Sequence, residues 1–194
     1  MLEYIKGLLV ELTPANAVIE CSGIGFNLSI SVNTYSSLKE GQDCQLFIHQ
    51  VIREDAHLLY GFLNKTEREI FRQLISVNGV GANTARIILS SLTTNELISA
   101  IVQENVNILK SVKGIGIKTA QRIIIELKDK IAAHDTDNGT ILNSKNNNLS
   151  KDALNALIVL GFSKPAIEKA LYKIIEEQKE TSLEKVIKKA LNYL

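Results

Sequence analysis

Asn78–Arg86 reads NGVGANTAR, and Lys113–Arg122 reads KGIGIKTAQR. Set in register from Val77 and Val112, both stretches follow one pattern: apolar, any residue, Gly, apolar, Gly, two residues, Thr, Ala. Apolar helical runs lie before and after each copy. A glycine pair at this spacing makes a tight turn, because glycine accepts positive φ and has no side chain to block a close approach. The second helix then starts directly after the turn. Its first-turn N–H groups and positive dipole end point outward, which makes an anion site. Val80 and Ile115, between the glycines, are expected to tuck inward and pin the turn. Ala85 and Ala120 let the paired helices pack closely. Lys118 and Arg122 fall on the exposed side of the second copy, within reach of a phosphate.

Two nucleotide-loop readings fail. A dinucleotide fingerprint needs a strand before GxGxxG and a third glycine, but Leu109–Val112 reads as helix and position 119 is Thr. A P-loop needs GxxxxGK[ST], but Ile117 separates Gly116 from Lys118. The pattern resembles instead the helix-hairpin-helix motif, which holds the DNA backbone without reading sequence. Two copies form a pseudo-symmetric unit that grips both strands across the minor groove. The DNA-binding candidates are Gly79, Val80, Gly81, Asn83 and Thr84 in the first copy. In the second they are Gly114, Ile115, Gly116, Lys118, Thr119 and Arg122. One copy alone would fit a plain helical turn equally well; two copies in a basic segment favour phosphate.

The charge layout supports this. Over the 194 residues the formal net charge is +1. Residues 1–63 hold three Lys and Arg against seven Asp and Glu, whereas residues 64–133 hold ten against six. A polyanion therefore fits best on the segment with the duplicated motif. At 45% hydrophobic and 22% charged, the chain reads as globular. No apolar run reaches the roughly 18 residues of a membrane helix, and MLEYIKG does not read as a signal peptide. Cys21 and Cys44 read as reduced, buried thiols of a cytoplasmic protein. His49, His57 and His134 do not cluster, and neither a metal nor a cofactor is expected.

The expected fold class is α+β and multidomain. IKGLLVEL, AVIECSG, GFNLSISV, CQLFIHQVI and AHLLYGFL are five short β-rich runs within residues 1–63. That density suggests a small barrel, of OB type or SH3-like. From Asn64 the period turns helical, with Asn64 or Thr66 as the first cap. Residues 64–134 read as an all-helical domain carrying both hairpins. Residues 135–149, rich in Asn, Asp, Ser and Gly, read as a flexible linker. Residues 150–194 read as three amphipathic helices, with Pro165 in the first turn of the second.

One further stretch stands out. VIREDAHLLYGF, Val51–Phe62, sets Glu54 and Asp55 between two apolar strands. By itself this is a polar hairpin turn. Together with NKTEREIFRQLISVNGVGANTARIIL, SVKGIGIKTAQRIIIELKDK and ALNALIVLGFSKPAIEKAL, in that order, it resembles the RuvA family of bacterial Holliday-junction branch-migration proteins nearly end to end. The resemblance implies an OB-type barrel, a paired helix-hairpin-helix domain and a tethered third domain. It implies a homotetramer, or an octamer of two face-to-face tetramers, that holds four-way junction DNA open and flat during recombination and repair. Glu54 and Asp55 match the family's acidic pin. The third domain would dock the hexameric ATPase RuvB, with Leu157, Leu160, Phe162, Leu171 and Leu191 as candidate contacts. The junction resolvase RuvC is a further implied partner. The chain itself would be non-catalytic. Where many relatives carry Lys this chain has Asn83, and Ile117 stands where some carry a basic residue.

Two other function classes compete. A repair nuclease or glycosylase would need a catalytic Lys–Asp pair or metal-binding carboxylates. A protein-interaction module would use its hairpins on protein alone.

Overall fold

The computed structural model describes residues 2–138, 145–176 and 182–194. It divides into two compact units, Met1–Gly139 and Thr140–Leu194.

The first unit begins with strands β1 (Tyr4–Leu12), β2 (Asn16–Cys21), β3 (Ile24–Ser29), β4 (Asp43–Ile52) and β5 (His57–Phe62). They close into a barrel in the order β1-β2-β3-β5-β4. Every pairing is antiparallel except β3 with β5, which closes through Ser29 and Tyr60. Alternation explains the interior: Ile5, Leu9, Ala17, Ile19, Leu28, Leu46 and Ile48 point inward and are buried. A register shift between Leu9 and Glu11 bends β1, as barrel closure requires. At Gly7 a Cβ would lie 2.1 Å from the Glu20 carbonyl oxygen, so only glycine lets β1 and β2 approach there. Cys21 and Cys44 sit near this glycine. Both are free and only half-buried, not buried as expected. Burial pushes the Cys44 thiol above its ordinary range.

Between β3 and β4 the chain makes a short helix, α1 (Val32–Ser36), capped by Ser31. The sequence offered only a connection here, because five residues are too few to show a helical period.

Five helices follow: α2 (Lys65–Ile75), α3 (Ala82–Ser91), α4 (Thr94–Val102), α5 (Val106–Ser111) and α6 (Ile117–Asn138). The starts of α2, α4 and α5 are set by side chains that satisfy otherwise orphaned N–H groups. Asn64, not Thr66, caps α2 by accepting from the Glu67 N–H at 2.8 Å. Thr93 and Glu96 form a reciprocal capping box on α4, and Asn105 caps α5. The helical core continues into the barrel. Phe71 of α2 stacks on Tyr60 and Phe62 of β5, with ring centroids 5.1 and 4.9 Å apart. The change at residues 63 and 64 is therefore a change of secondary structure within one packed unit.

Helix α6 runs past His134 to Asn138. It enters the segment read as linker, and α7 (Lys145–Val159) begins inside that segment too. The remainder of that expectation lies outside the described residues. The second unit packs α7, α8 (Lys164–Glu176) and α9 (Leu183–Leu191) around Ala153, Leu157, Ile167, Ala170, Leu171, Ile174, Val186 and Ala190. Two candidate partner contacts are thereby corrected: Leu157 and Leu171 are core residues, held inside by the helical period. Leu160 and Leu191 are exposed. Phe162 is partly buried against the core.

Candidate nucleic-acid interface

The two glycine turns have nearly the same geometry. In the first, the Val77 N–H donates to the Leu74 carbonyl at 3.1 Å and the Val80 N–H to the Val77 carbonyl at 3.0 Å. In the second, the Val112 N–H donates to Leu109 at 3.2 Å and the Ile115 N–H to Val112 at 3.1 Å. The following helices start with Ala85 N–H to Gly81 and Ala120 N–H to Gly116, both at 2.9 Å. Gly79 has φ +90° and Gly114 φ +89°, a conformation an L side chain resists.

Val80 and Ile115 are buried as pins. Their amides are also spent inside the turn, so neither side chain nor N–H is left for a ligand. That narrows the sequence reading, which counted both among the contacts. Ala85 and Ala120 are fully buried where the paired helices meet. No side chain caps α3 at Gly81, and Gly116 has none to offer α6. The first-turn amides of Ala82, Asn83 and Thr84, and those of Ile117, Lys118 and Thr119, thus form two anion-ready helix starts.

The side chains around the turns differ. Lys110, Lys113 and Lys118 are exposed and, among the described residues, make no ion pair or hydrogen bond. All three belong to the second hairpin. Asn83 of the first hairpin is exposed and accepts from Arg86 Nη2 at 3.0 Å. Arg122 is exposed but engaged: its Nη1 donates to the Asn78 carbonyl at 3.1 Å. Sequence spacing placed both Arg122 and Lys118 on the outer face; it gave no sign that one was already occupied.

Glu54 and Asp55 are exposed at the tip of the β4–β5 hairpin, whose turn is closed by Arg53 N–H to the Ala56 carbonyl at 2.8 Å. No hydrogen bond or ion pair among the described residues joins this tip to either glycine turn.

Sequence reasoning missed the supports that hold the hairpins to the barrel. Glu67 is buried and accepts from the Ser31 and Thr34 hydroxyls, both at 3.0 Å, and from the Leu63 N–H at 3.1 Å. The only local hint was its place three residues after Asn64, which suggests a capping box. Asn33 donates to the carbonyls of Leu89 and Leu92 at 2.7 and 3.1 Å, docking α1 on the end of α3. Arg68, also buried, donates to the Glu3 and Ile48 carbonyls and pairs with the Glu3 carboxylate. That bond holds the Glu3 carboxyl below the usual carboxylate range. Lys128 pairs with Glu104 and lowers its carboxyl in the same way.

A closed five-strand barrel fused to two helix-hairpin-helix turns defines a class of nucleic-acid-binding architecture. The comparisons with known proteins resolve the class. Residues 1–61 match the RuvA N terminal domain, residues 71–129 the SAM-like helix-hairpin-helix tandem, and residues 148–194 the RuvA C-terminal domain. The chain is 49% identical to the Holliday junction branch migration complex subunit RuvA of Bacteroides thetaiotaomicron, covering 100% of both chains. The proteins of the same name from Porphyromonas gingivalis and Christiangramia forsetii are 46% and 45% identical, again over 100% of both chains. The chain belongs to the RuvA family.

Proposed function

We propose that this chain is the DNA-binding, non-catalytic subunit of a branch-migration complex. It recognises four-way junctions through the phosphate backbone, holds them open and planar, and recruits and stimulates a hexameric ATPase. The observation that carries the reading is the repeated turn geometry: two uncapped helix starts in one compact unit, with three lysines beside the second that are unpaired among the described residues. Fixed amides and mobile ammonium groups are what sequence-independent backbone binding requires.

The remaining roles rest on membership of the family, and the exposure of the residues concerned is compatible with them. Glu54 and Asp55, exposed at a hairpin tip, form an acidic pin. In a homotetramer four such tips meet the crossover. Like charges about 4 Å apart cost ~1 kcal/mol in water and more where water is excluded. The carboxylates therefore repel phosphate and keep strands apart as they exchange partners. Residues 150–194 dock the ATPase through exposed apolar residues such as Leu160 and Leu191. Pairing of two tetramers and contact with a junction resolvase belong to the same reading, as does a cytoplasmic location. Among the described residues no single helix is long and apolar enough to cross a membrane.

A gel shift comparing four-way, duplex and single-stranded DNA, with the mass of the complex measured, tests the reading. Preferential four-way binding by a tetramer or octamer supports it. The Glu54→Gln, Asp55→Asn double variant should bind the junction equally or more tightly while altering migration. A large loss of affinity refutes the repulsive pin. Metal-dependent junction cleavage that the double variant loses would make the chain an enzyme.

A further inference from the structure

We propose that Arg86 and Arg122 build the DNA clamp and that Lys110, Lys113 and Lys118 hold the DNA. The inference rests on the backbone-binding reading above and divides its cations into two roles.

Arg122 crosses from the second hairpin to the first. Its Nη1 donates to the Asn78 carbonyl, 44 residues earlier, inside the first glycine turn. Its Nε lies 3.9 Å from the Glu126 carboxylate, one helical turn along, which steers the guanidinium. Two turns further along α6, Lys130 Nζ donates to Ser76 Oγ at 3.2 Å, at the residue that caps α2. Helix α6 thus grips the first turn at two points. Arg86 buttresses the same hairpin from the opposite direction. Its Nη1 donates to the Ala15 carbonyl of the β1–β2 turn at 3.0 Å, and its Nη2 to the Asn83 side chain at 3.0 Å. A planar guanidinium with several fixed donors suits such bridging, because it loses little freedom for each bond made.

The lysines are placed differently. Lys110, Lys113 and Lys118 surround the second turn and make no bond among the described residues. An ammonium on a flexible stem is a point charge free to follow a phosphate. The first hairpin has no counterpart, since Asn83 occupies the position equivalent to Lys118. Electrostatic attraction therefore comes from the second hairpin. The first contributes directional amides, and Arg122 sets where those amides lie relative to the lysines. Arg122 is a positioning residue.

The experiment is junction binding by the full-length protein as a function of salt. Each phosphate contact adds about 0.9 to the slope of log affinity against log salt. Lys118→Ala should lower the slope by about 0.9. Arg122→Ala should weaken binding by about fivefold, the weight of one exposed charge-assisted hydrogen bond, with the slope unchanged. Arg122→Gln, neutral but still a donor, should recover most of that loss. In the DNA-free protein, the amide resonances of Asn78 and Gly79 should shift with Arg122→Ala and much less with Arg122→Gln. The proposal is overturned if Arg122→Ala and Arg122→Gln both lower the slope by about 0.9, because Arg122 is then itself a phosphate ligand. It is also overturned if Arg122→Ala leaves affinity and those resonances untouched. If Lys113→Ala and Lys118→Ala also leave the slope unchanged, the backbone-binding reading has failed with it.

Discussion

Gly114 and Gly116 are two residues apart and look alike in sequence, yet the structure gives them different reasons to be glycine. Gly114 has φ +89°, and a Cβ built there meets nothing within 4 Å. Its requirement is conformational. An L residue forced into this region costs about 1–2 kcal/mol. Gly116 does not have a positive φ, and its Cβ would also point into open space. Alanine there loses roughly 0.5–1 kcal/mol, because it is a much poorer N-cap than glycine. It regains about 0.4–1 kcal/mol by restricting the unfolded chain. Thermal unfolding of the first unit, followed by calorimetry, should therefore separate them. Gly114→Ala should lower the midpoint by about 3–10 °C, given roughly 3–5 °C per kcal/mol for a unit of this size. Gly116→Ala should leave it within about 2 °C. DNA binding should reverse the order of surprise. The open space at Gly116 lies beside the first-turn amides, where a phosphate would approach, so a methyl group there should weaken junction binding without unfolding anything. Gly79→Ala and Gly81→Ala should repeat both patterns in the first hairpin. Equal stability loss at Gly114 and Gly116 would refute the conformational argument. Undiminished junction binding by Gly116→Ala, together with Gly81→Ala, would refute the approach of phosphate to these turns.

Glu67→Ala should cost about 2–4 kcal/mol in urea unfolding, because two buried hydroxyls and the Leu63 N–H lose their acceptor; a loss below about 1 kcal/mol would show that the network rebonds without it. His49 is held below its usual value of 6.5, first by burial and then by the charges of Arg72 and Arg68. A depressed histidine favours its neutral form in the fold, so its contribution to stability is present above pH 6.5 and is lost as pH falls through the folded value. A stability–pH profile should thus fall below pH 6.5, less steeply for His49→Gln, and an identical profile would count against the burial. Deleting residues 150–194 should spare junction binding and abolish stimulation of the motor ATPase; loss of DNA binding would overturn the assignment of roles to the two units.

Much of the fold was legible because its signals are local. Five closely spaced β-rich runs within residues 1–63 mark the barrel, although Leu8 and Val10, apolar yet exposed, left its inward face to be decided by packing. Asn64, Thr93 and Pro165 sit where helix starts require them. The site was half legible. The duplicated glycine spacing revealed the turns, and the buried Val80 and Ile115 behave as a hairpin pin should. The same pattern led to counting those two among the contacts, since spacing does not say where an N–H finds its acceptor. In the second unit a helical stripe marked Leu157, Leu160 and Leu171 as apolar. Only packing separated the two core residues from the exposed one.

The sequence by itself determined the order of the five strands and of the longer helices, the paired turns and the basic character of the segment that carries them. These depend on neighbours within a few residues, where dihedral preference and periodicity act. Tertiary structure decided which charges are free. Arg122 and Lys118 share one helix face, yet Arg122 is bound to a carbonyl 44 residues away and Lys118 is not. It also decided that Glu67 is a buried joint and that β5 shares its core with the helices. A hydrogen-bond partner is fixed by where distant backbone comes to rest, and no local pattern encodes that position.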